Sequence, residues 1–562
     1  MLIEKINDLI IKEQEVKGLI KKIKQKTNKL SATTDSKEII KLINEISKIR
    51  NHYLTIYWVS YIGYLKNIKD EKYLASEAII AKYDGDYNNS IYKMYDVIDS
   101  IKNKKILIEN YGKRFLNIAN NQKQLLSTKE NLYQKENELR KLYRKILNSP
   151  QIDFNGEKIS LIKLSNYQQS ENKKIRKEAY DKKYDALLSI SNELYQVFTE
   201  LTKIRTKIAQ SCNFNNYTDY SYIKMNRIDY SKKELTDFKK SIIKHFVPLN
   251  EKLKRYQAKR LDEKKLSYYN ELIQFKDGNA KTSNELTEIL LKLTEILQEI
   301  KPQYANIFQD MLKKGLIDLE EYENKSSGGI TTYLPDYKYP IFIKRYTNNS
   351  SNFITLTHEI GHAIQLYYNK EKLLHDNRWP TFDICEIHSI TMELLVSNYI
   401  EKIYAKDTNK HLLTHFTNII NTIIKTSAGD DFKTEIYSTT RTDFNEIWKR
   451  IYKKYYPTND YNLAYYKKGI MWQADINRID EPFYGIDYAL ATIYALSFYR
   501  NYKHNEEKTI EQFTNFLIEG GEISFKEIAI KYNLLNPFNE NDIKNLATFL
   551  DDQIEAILLK TK

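Results

Sequence analysis

The sequence predicts a mostly α-helical protein with more than one packed unit, and three observations carry that expectation. Only 15 glycines and 9 prolines punctuate 562 residues, so long stretches rich in Lys, Glu, Leu and Ile run without a helix breaker. The composition, 41% hydrophobic and 29% charged, is that of a globular chain, and a chain of this length exceeds what one hydrophobic core can hold. Apolar residues also recur at steps of three and four. Leu2, Ile6, Leu9, Val16, Ile20, Ile23 and Leu30 make one such stripe, interrupted by Glu13, and the expectation is a single helix packed inside a bundle. The stripe has too few heptads for a free coiled coil.

Helical patterns continue to about residue 148. "SPQIDFNGEKISLIKL" (149–164) then breaks them, and Asn155-Gly156 between apolar flanks reads as a hairpin turn near 151–164, because both residues tolerate positive φ. The stretch from 172 to 212 reads as a long helix or a helix pair, and a soft domain boundary is placed near residue 200. "SSGGITTYLPDYKYPIFIKRY" (326–346) is not helical: its glycines, prolines and β-branched and aromatic residues predict loop, strand, loop, strand. "EPFYGIDYALATIYAL" (481–496) opens on Glu-Pro and becomes helical.

The net charge of +14, from 88 Lys plus Arg against 74 Asp plus Glu, is dispersed along the chain rather than gathered in a stripe. It is solvated surface, and no nucleic-acid partner is expected. Two cysteines, Cys212 and Cys385, make no disulfide framework and suit a reducing compartment. The N-terminus carries acids within its first residues and no cleavage site. No apolar run reaches about 18 residues. A cytoplasmic protein with no membrane partner is therefore expected.

The chemistry concentrates in "LTHEIGHAIQLYY" (356–368), which holds two of the nine histidines. On a helix, His358 and His362 lie one turn apart on the same face, so both can offer a ring nitrogen to one ion. Glu359, rotated about 100° from His358, can reach a water beside that ion. Two histidines and a Glu base are the working parts of a zinc hydrolase. Even if every acid were Glu, roughly 0.02 chance matches to H-E-x-x-H would be expected in this chain. His411 and His415 also stand four apart, without the acid, and read as ordinary helix-face histidines. The first pair lies among Ile354, Leu356, Ile360, Ala363 and Ile364, where uncoordinated histidines would be costly. Gly361 sits mid-helix at a cost of up to about 1 kcal/mol. The expected reason is close approach of another backbone, such as the strand within 331–343, leaving clearance for a substrate strand.

A catalytic zinc needs a third protein ligand. A metzincin would place Gly and then His after the second histidine, but Gln365 and Tyr368 occupy those positions. The leading third ligand is Glu386 in "DICEIHSITMELL". Glu393 lies on the same helical face and could accept a hydrogen bond from a ligand histidine. His388 lies about 200° around from Glu386 and reads as a core or surface histidine. Cys385 reads as packing.

"HEIGHAIQ" followed by "DICEIHSITMELL" resembles the thimet oligopeptidase and oligoendopeptidase F family of zinc peptidases. The resemblance extends to "GLIDLEEYENKSSGGITTYLPDYKYPIFI", "WQADINRIDEPFYGIDYALA" and "KIAQSCNFNNYTDYSYIKMNRIDY", while the first 130 residues match in helical character only. It implies a two-lobed helical shell around a deep substrate channel, with a small β element beside a gluzincin-type helix. The corresponding division is an N-terminal helical domain over 1–200 and a catalytic domain over 201–562. The implied activity is a metalloendopeptidase that hydrolyses internal bonds of short peptides with one Zn²⁺ per chain. Residue by residue it implies His358, His362 and Glu386 as metal ligands, Glu359 as general base and Tyr488 as the hydroxyl facing the scissile carbonyl. Glu393 supports the ligands, and Tyr333 and Tyr484 are implied to bind substrate. The chain departs from the family in two places: Asn477 stands where many members carry a His, and Gly485 where many carry a second Tyr. Those departures motivate the alternative, a peptide-binding protein of the same fold with weak or lost catalysis.

Overall fold

Helices begin where the sequence supplies caps. The Asp35 carboxylate accepts from the Glu38 N–H at 2.8 Å and opens the helix Ser36–Lys66. Asp70 does the same for Glu71–Ser100, accepting from the Lys72 N–H at 2.9 Å. The Asn172 side chain caps Lys173–Ser211, and a reciprocal Ser231–Glu234 pair caps Lys232–Arg260. Each cap satisfies amide groups that a helix start leaves unpaired. The computed structural model describes residues 2–7, 9, 11–127, 131–282, 284–326, 328–347, 349–439, 441–460, 463–475 and 479–560. It is mainly α-helical, with small sheets.

The N-terminal stripe is two helices, Leu2–Asn7 and Glu13–Ala32, rather than one. Glu13, which interrupts the apolar series, opens the second helix, where a carboxylate meets the positive end of the helix dipole. Its carboxylate also takes Lys17 at 3.0 Å, Lys82 at 3.1 Å and the Tyr83 hydroxyl at 2.5 Å. Further on, Lys173–Ser211 is one unbroken helix that runs through residue 200, where the sequence placed a soft boundary.

Two large apolar cores, and a small cluster of Ile152, Phe154, Ile159, Leu164 and Ala179 under the hairpin, result among the described residues. The smaller of the two large cores is built between helices of residues 11–119 and includes Val16, Ile20, Ile46, Tyr53 and Phe115, all at most 5% exposed. The larger holds the interior of the rest, including Leu356, Ile387, Ile420 and Leu490, none of them exposed. The helix Ser36–Lys66 serves both: Ile46 and Tyr53 enter the smaller core, Val59 and Ile62 the larger. The two parts are also pinned by polar contacts to residues 373–378. Arg50 Nη1 lies 2.9 Å from Asp376 Oδ2, and the Tyr95 hydroxyl donates to the same oxygen at 2.7 Å. Asn51 donates to the Leu373 carbonyl at 2.9 Å and accepts from Arg378 Nη2 at 3.0 Å.

The strands β1 (Gln151–Phe154) and β2 (Glu157–Ser160) form an antiparallel hairpin. Its turn residues Asn155 and Gly156 both take positive φ, 53° and 82°, the backbone a two-residue hairpin turn requires. A second sheet joins β3 (Ile317–Asp318), β4 (Ile330–Leu334) and β5 (Tyr339–Ile343) in the order β3-β5-β4. β4 runs antiparallel to β5, with Thr332 opposite Ile341, and β3 runs parallel to β5. Among the described residues no strand pairs with the outer edge of β4. This sheet lies against the helix Ser350–Tyr368, where the Thr331 hydroxyl donates to the Glu359 carbonyl at 3.3 Å. Among the described residues no helix is long and apolar enough to cross a membrane.

Removing one partner of a buried ion pair leaves the other charge without compensation. Asp376→Ala is therefore expected to lower stability by about 3 kcal/mol, read as a lower urea midpoint, and the double change Arg50→Met, Asp376→Leu should recover much of the loss.

Candidate metal centre

Two helices bring the site together. The first is Ser350–Tyr368, capped by the Asn349 side chain, which accepts from the Asn352 N–H at 2.9 Å. It carries His358 and His362 with ring centroids 4.9 Å apart. The second is Phe382–Val396, every residue of which after Phe382 is buried. It carries Glu386. The helices cross at Gly361. A Cβ there would lie 2.7 Å from both the His388 carbonyl oxygen and the Ser389 Cα, and 3.0 Å from Met392 Cβ. The backbone that Gly361 admits is thus that of the Glu386 helix, not the strand expected from the sequence.

That contact places three donor atoms around one point. Glu386 Oε2 lies 3.1 Å from His358 Nε2 and 3.6 Å from His362 Nε2, and one ligand atom from each residue falls within 4.8 Å of the others. A tetrahedral zinc with ligand bonds of about 2.0–2.1 Å has ligand-to-ligand edges of about 3.3 Å. The spacing and the N, N, O donor set therefore fit such an ion. His358 Nδ1 meets Glu393 Oε1 at 2.6 Å, the second contact that orients a ligating imidazole. Glu386 is itself held: the Ser389 hydroxyl lies 3.1 Å from Oε2, and the Tyr484 hydroxyl donates to Oε1 at 2.5 Å.

The electrostatics favour a cation. Burial works against a charged His358, but the carboxylates of Glu386 and Glu393 outweigh it and raise its pKa well above the ordinary histidine range. Burial would raise Glu386, yet its contacts with His358 and His362 hold it well below the usual carboxylate range. A pocket that binds a proton this firmly offers the same negative charge to a metal ion, and proton and metal compete for the histidines.

Beyond the ligands, Glu359 is half-buried on the next step of the helix. Tyr488 lies on the helix Gly485–His504, its ring 6.4 Å from that of His358 and its hydroxyl 3.0 Å from that of Tyr484. Burial, reinforced by the Glu386 charge, pushes both tyrosines well above their ordinary pKa, so each keeps its proton. Arg227 anchors the start of their helix. Its Nη2 donates to the Asp487 carboxylate at 3.0 and 3.1 Å and to the Phe483 carbonyl. Tyr484, expected to touch substrate, instead spends its hydroxyl on Glu386. Tyr333, expected likewise, is 3% exposed, donates to the Lys370 carbonyl at 2.9 Å and lies under the Arg378 guanidinium. Its ring belongs to the core.

His415 departs most from its sequence expectation. It is buried, and its Nε2 meets Glu393 Oε2 at 3.0 Å, so Glu393 bridges His358 and His415 with its two oxygens. His411 is buried one turn away and pairs through Nδ1 with the Ser350 hydroxyl at 2.8 Å. The signal in the sequence was the i, i+4 spacing. It marks one buried face here, and only packing shows what that face meets. His388 is fully buried against Phe516, with ring centroids 4.5 Å apart, and neither ring nitrogen has a hydrogen-bond partner among the described residues. Cys385 packs in the core, its Sγ 3.5 Å from the Pro380 carbonyl. Asn477 lies outside the described residues. At Gly485 a Cβ would meet nothing closer than Lys433 Nζ at 3.7 Å, so the missing side chain is not excluded by its surroundings.

Gly361→Ala should force the two helices apart and lower metal affinity by at least tenfold while keeping the helical circular dichroism signal, measured by competitive metal titration. Glu393→Gln should lower metal affinity by about 10–100-fold in the same assay. Equal affinity in either variant would contradict the role given to that contact.

The model of the family described as "Peptidase family M3" matches residues 166–547, and that of the "Peptidase M3 N-terminal domain" matches residues 6–126. A solved structure titled "PZ peptidase A with inhibitor 2" superposes with a TM-score of 0.91 at 26% identity, covering 98% of each chain. The oligoendopeptidase F homolog of Borreliella burgdorferi is 25% identical over 63% of this chain, and the oligopeptidase PepF of Bacillus subtilis 22% identical over 73% of it. The matched stretches span 60% and 62% of those two relatives' lengths. With one family model matching residues 166–547, the chain belongs to peptidase family M3.

Proposed function

We propose that this protein is a zinc-dependent oligoendopeptidase that hydrolyses internal bonds of short peptides. The observation that carries the reading is the convergence of one ligand atom each from His358, His362 and Glu386 within 4.8 Å, with Glu359 next to His358 in the chain. One Zn²⁺ held by these three residues would polarise the peptide carbonyl and acidify a water. Glu359 is the base that takes the proton of the attacking water and hands it to the leaving amine. Tyr488, kept as a phenol by burial, donates to the carbonyl oxygen as charge develops on it. Tyr484 acts through Glu386, holding the ligand carboxylate in place. The free edge of β4 offers backbone groups to an extended peptide, and the Tyr333 ring takes no part. The N-terminal helices wall the cleft, and the catalytic part carries the ligands. Short peptides as substrates and a cytoplasmic location belong to the same proposal; both cysteines are buried and free.

A second reading, peptide binding with weak catalysis, draws on Gly485 and on Tyr484. No side chain at 485 supplies a hydroxyl, and that of Tyr484 is already engaged by Glu386.

Zinc-loaded protein is expected to cleave members of a quenched peptide library and to lose that activity to a chelator. Glu359→Gln should retain zinc with turnover reduced to near background. Tyr488→Phe should lower kcat by about 10²–10³ with little change in metal content. Binding of the library without cleavage would favour the second reading.

A further inference from the structure

A cavity of about 510 Å³ is walled mainly by N-terminal helices, and Ile330 of β4 and Glu481, shortly before Tyr484 in the chain, also line it. Its walls carry Tyr57, Trp58, Tyr61, Tyr92, Tyr133 and Tyr220. Among its cations, Lys224 lies 3.1 Å from Glu481 and Lys141 3.6 Å from Glu77, while Arg140, 3.3 Å away, and Arg144 share the one carboxylate of Asp480. Glu136 is matched too, 2.7 Å from Arg205. Asp84 is the exception. It lines the same cavity, and its one side-chain partner among the described residues is the neutral amide of Asn88, at 3.1 Å.

We propose that Asp84 and the aromatic walls around it form a specificity subsite for a cationic group of the peptide, an alkylammonium or guanidinium. The inference rests on the peptidase reading above and names the substrate class that the cleft selects. A carboxylate with no cation at ion-pair distance among the described residues, in a confined, aromatic-lined space, offers what an organic cation seeks: an opposite charge and ring faces. An anionic group placed beside Asp84 would instead be repelled by that carboxylate. Burial raises the Asp84 pKa, while Lys224, Asn88 and Arg140 pull it down; a cation seated beside it would pull the same way. Because the cavity shares Ile330 with the edge strand, a peptide lying along β4 carries its cation at a constant offset from the scissile bond. The cation has two possible sources, a Lys or Arg side chain and the free α-amino terminus.

The test compares quenched peptides that differ only in lysine against norleucine, each with a free and an acetylated N-terminus. In the wild type the lysine peptide, or the free-amine peptide, should have a kcat/KM about tenfold or more above its neutral partner, mainly through KM. Which pair shows the preference identifies the source, and cleavage mapping should show one fixed offset. In Asp84→Asn that ratio should fall towards one; an unchanged ratio overturns the proposal. If zinc-loaded protein cleaves none of the peptides, the peptidase reading fails by itself, and dissociation constants of the same peptides for wild type and Asp84→Asn decide this inference separately. If Asp84→Asn does not fold, inhibition of the wild type by arginine amide against N-acetylcitrulline amide, which carries neither cation, replaces it. Stronger inhibition by the charged compound supports the subsite, and equal inhibition overturns it.

Discussion

The site depends on two helices touching backbone to backbone at Gly361. His358 and His362 can share one face of any helix, but a third ligand must arrive from elsewhere. Glu386 arrives because nothing larger than a hydrogen stands between the helix Ser350–Tyr368 and the His388–Ser389 backbone. The glycine sacrifices some helix propensity and obtains a short interaxial distance, without which the carboxylate would stand off from the imidazoles. The helix Gly485–His504 then packs on the Glu386 helix and delivers Tyr484 and Tyr488 to the same point.

Around that contact the charges are arranged in layers. Glu393 faces His358 with one oxygen and His415 with the other, so the orientation of the His358 ring is tied to the helix Thr408–Ser438. Arg227 fixes the turn before Tyr488 through Asp487 and Phe483. Buried polar networks of this kind are costly unless satisfied, and their partners come from four separate helices and from the connecting segments that carry Arg227 and Phe483. The N-terminal helices join the arrangement through Arg50 and Asp376, at the segment that links the histidine helix to the Glu386 helix.

Much of the fold was legible because its causes are local. Cap residues, the Asn155-Gly156 turn and the strand-loop-strand composition of 326–346 act within a few residues of themselves. The interruption at Glu13 was visible as a defect in the stripe, but its outcome, a new helix start, depended on the pairing of that carboxylate with Lys82 and Tyr83 of another helix. Tyr333 was misplaced for a related reason. Strand alternation suggests one open face, but Thr331 to Leu334 are buried on both faces, and the Tyr333 ring lies under Arg378.

By itself the sequence determined the helical character, the metal-competent spacing of His358 and His362, the acid beside them and a plausible third ligand, because periodicity within one element decides which side chains share a face. Tertiary structure alone decided what Gly361 admits, that Tyr484 serves Glu386, that His415 stands behind Glu393 and that Asp84 faces an aromatic cavity with no ion-pair partner among the described residues. Each of these is a contact between elements far apart in the chain, and no local rule of spacing or propensity carries information about which faces will meet.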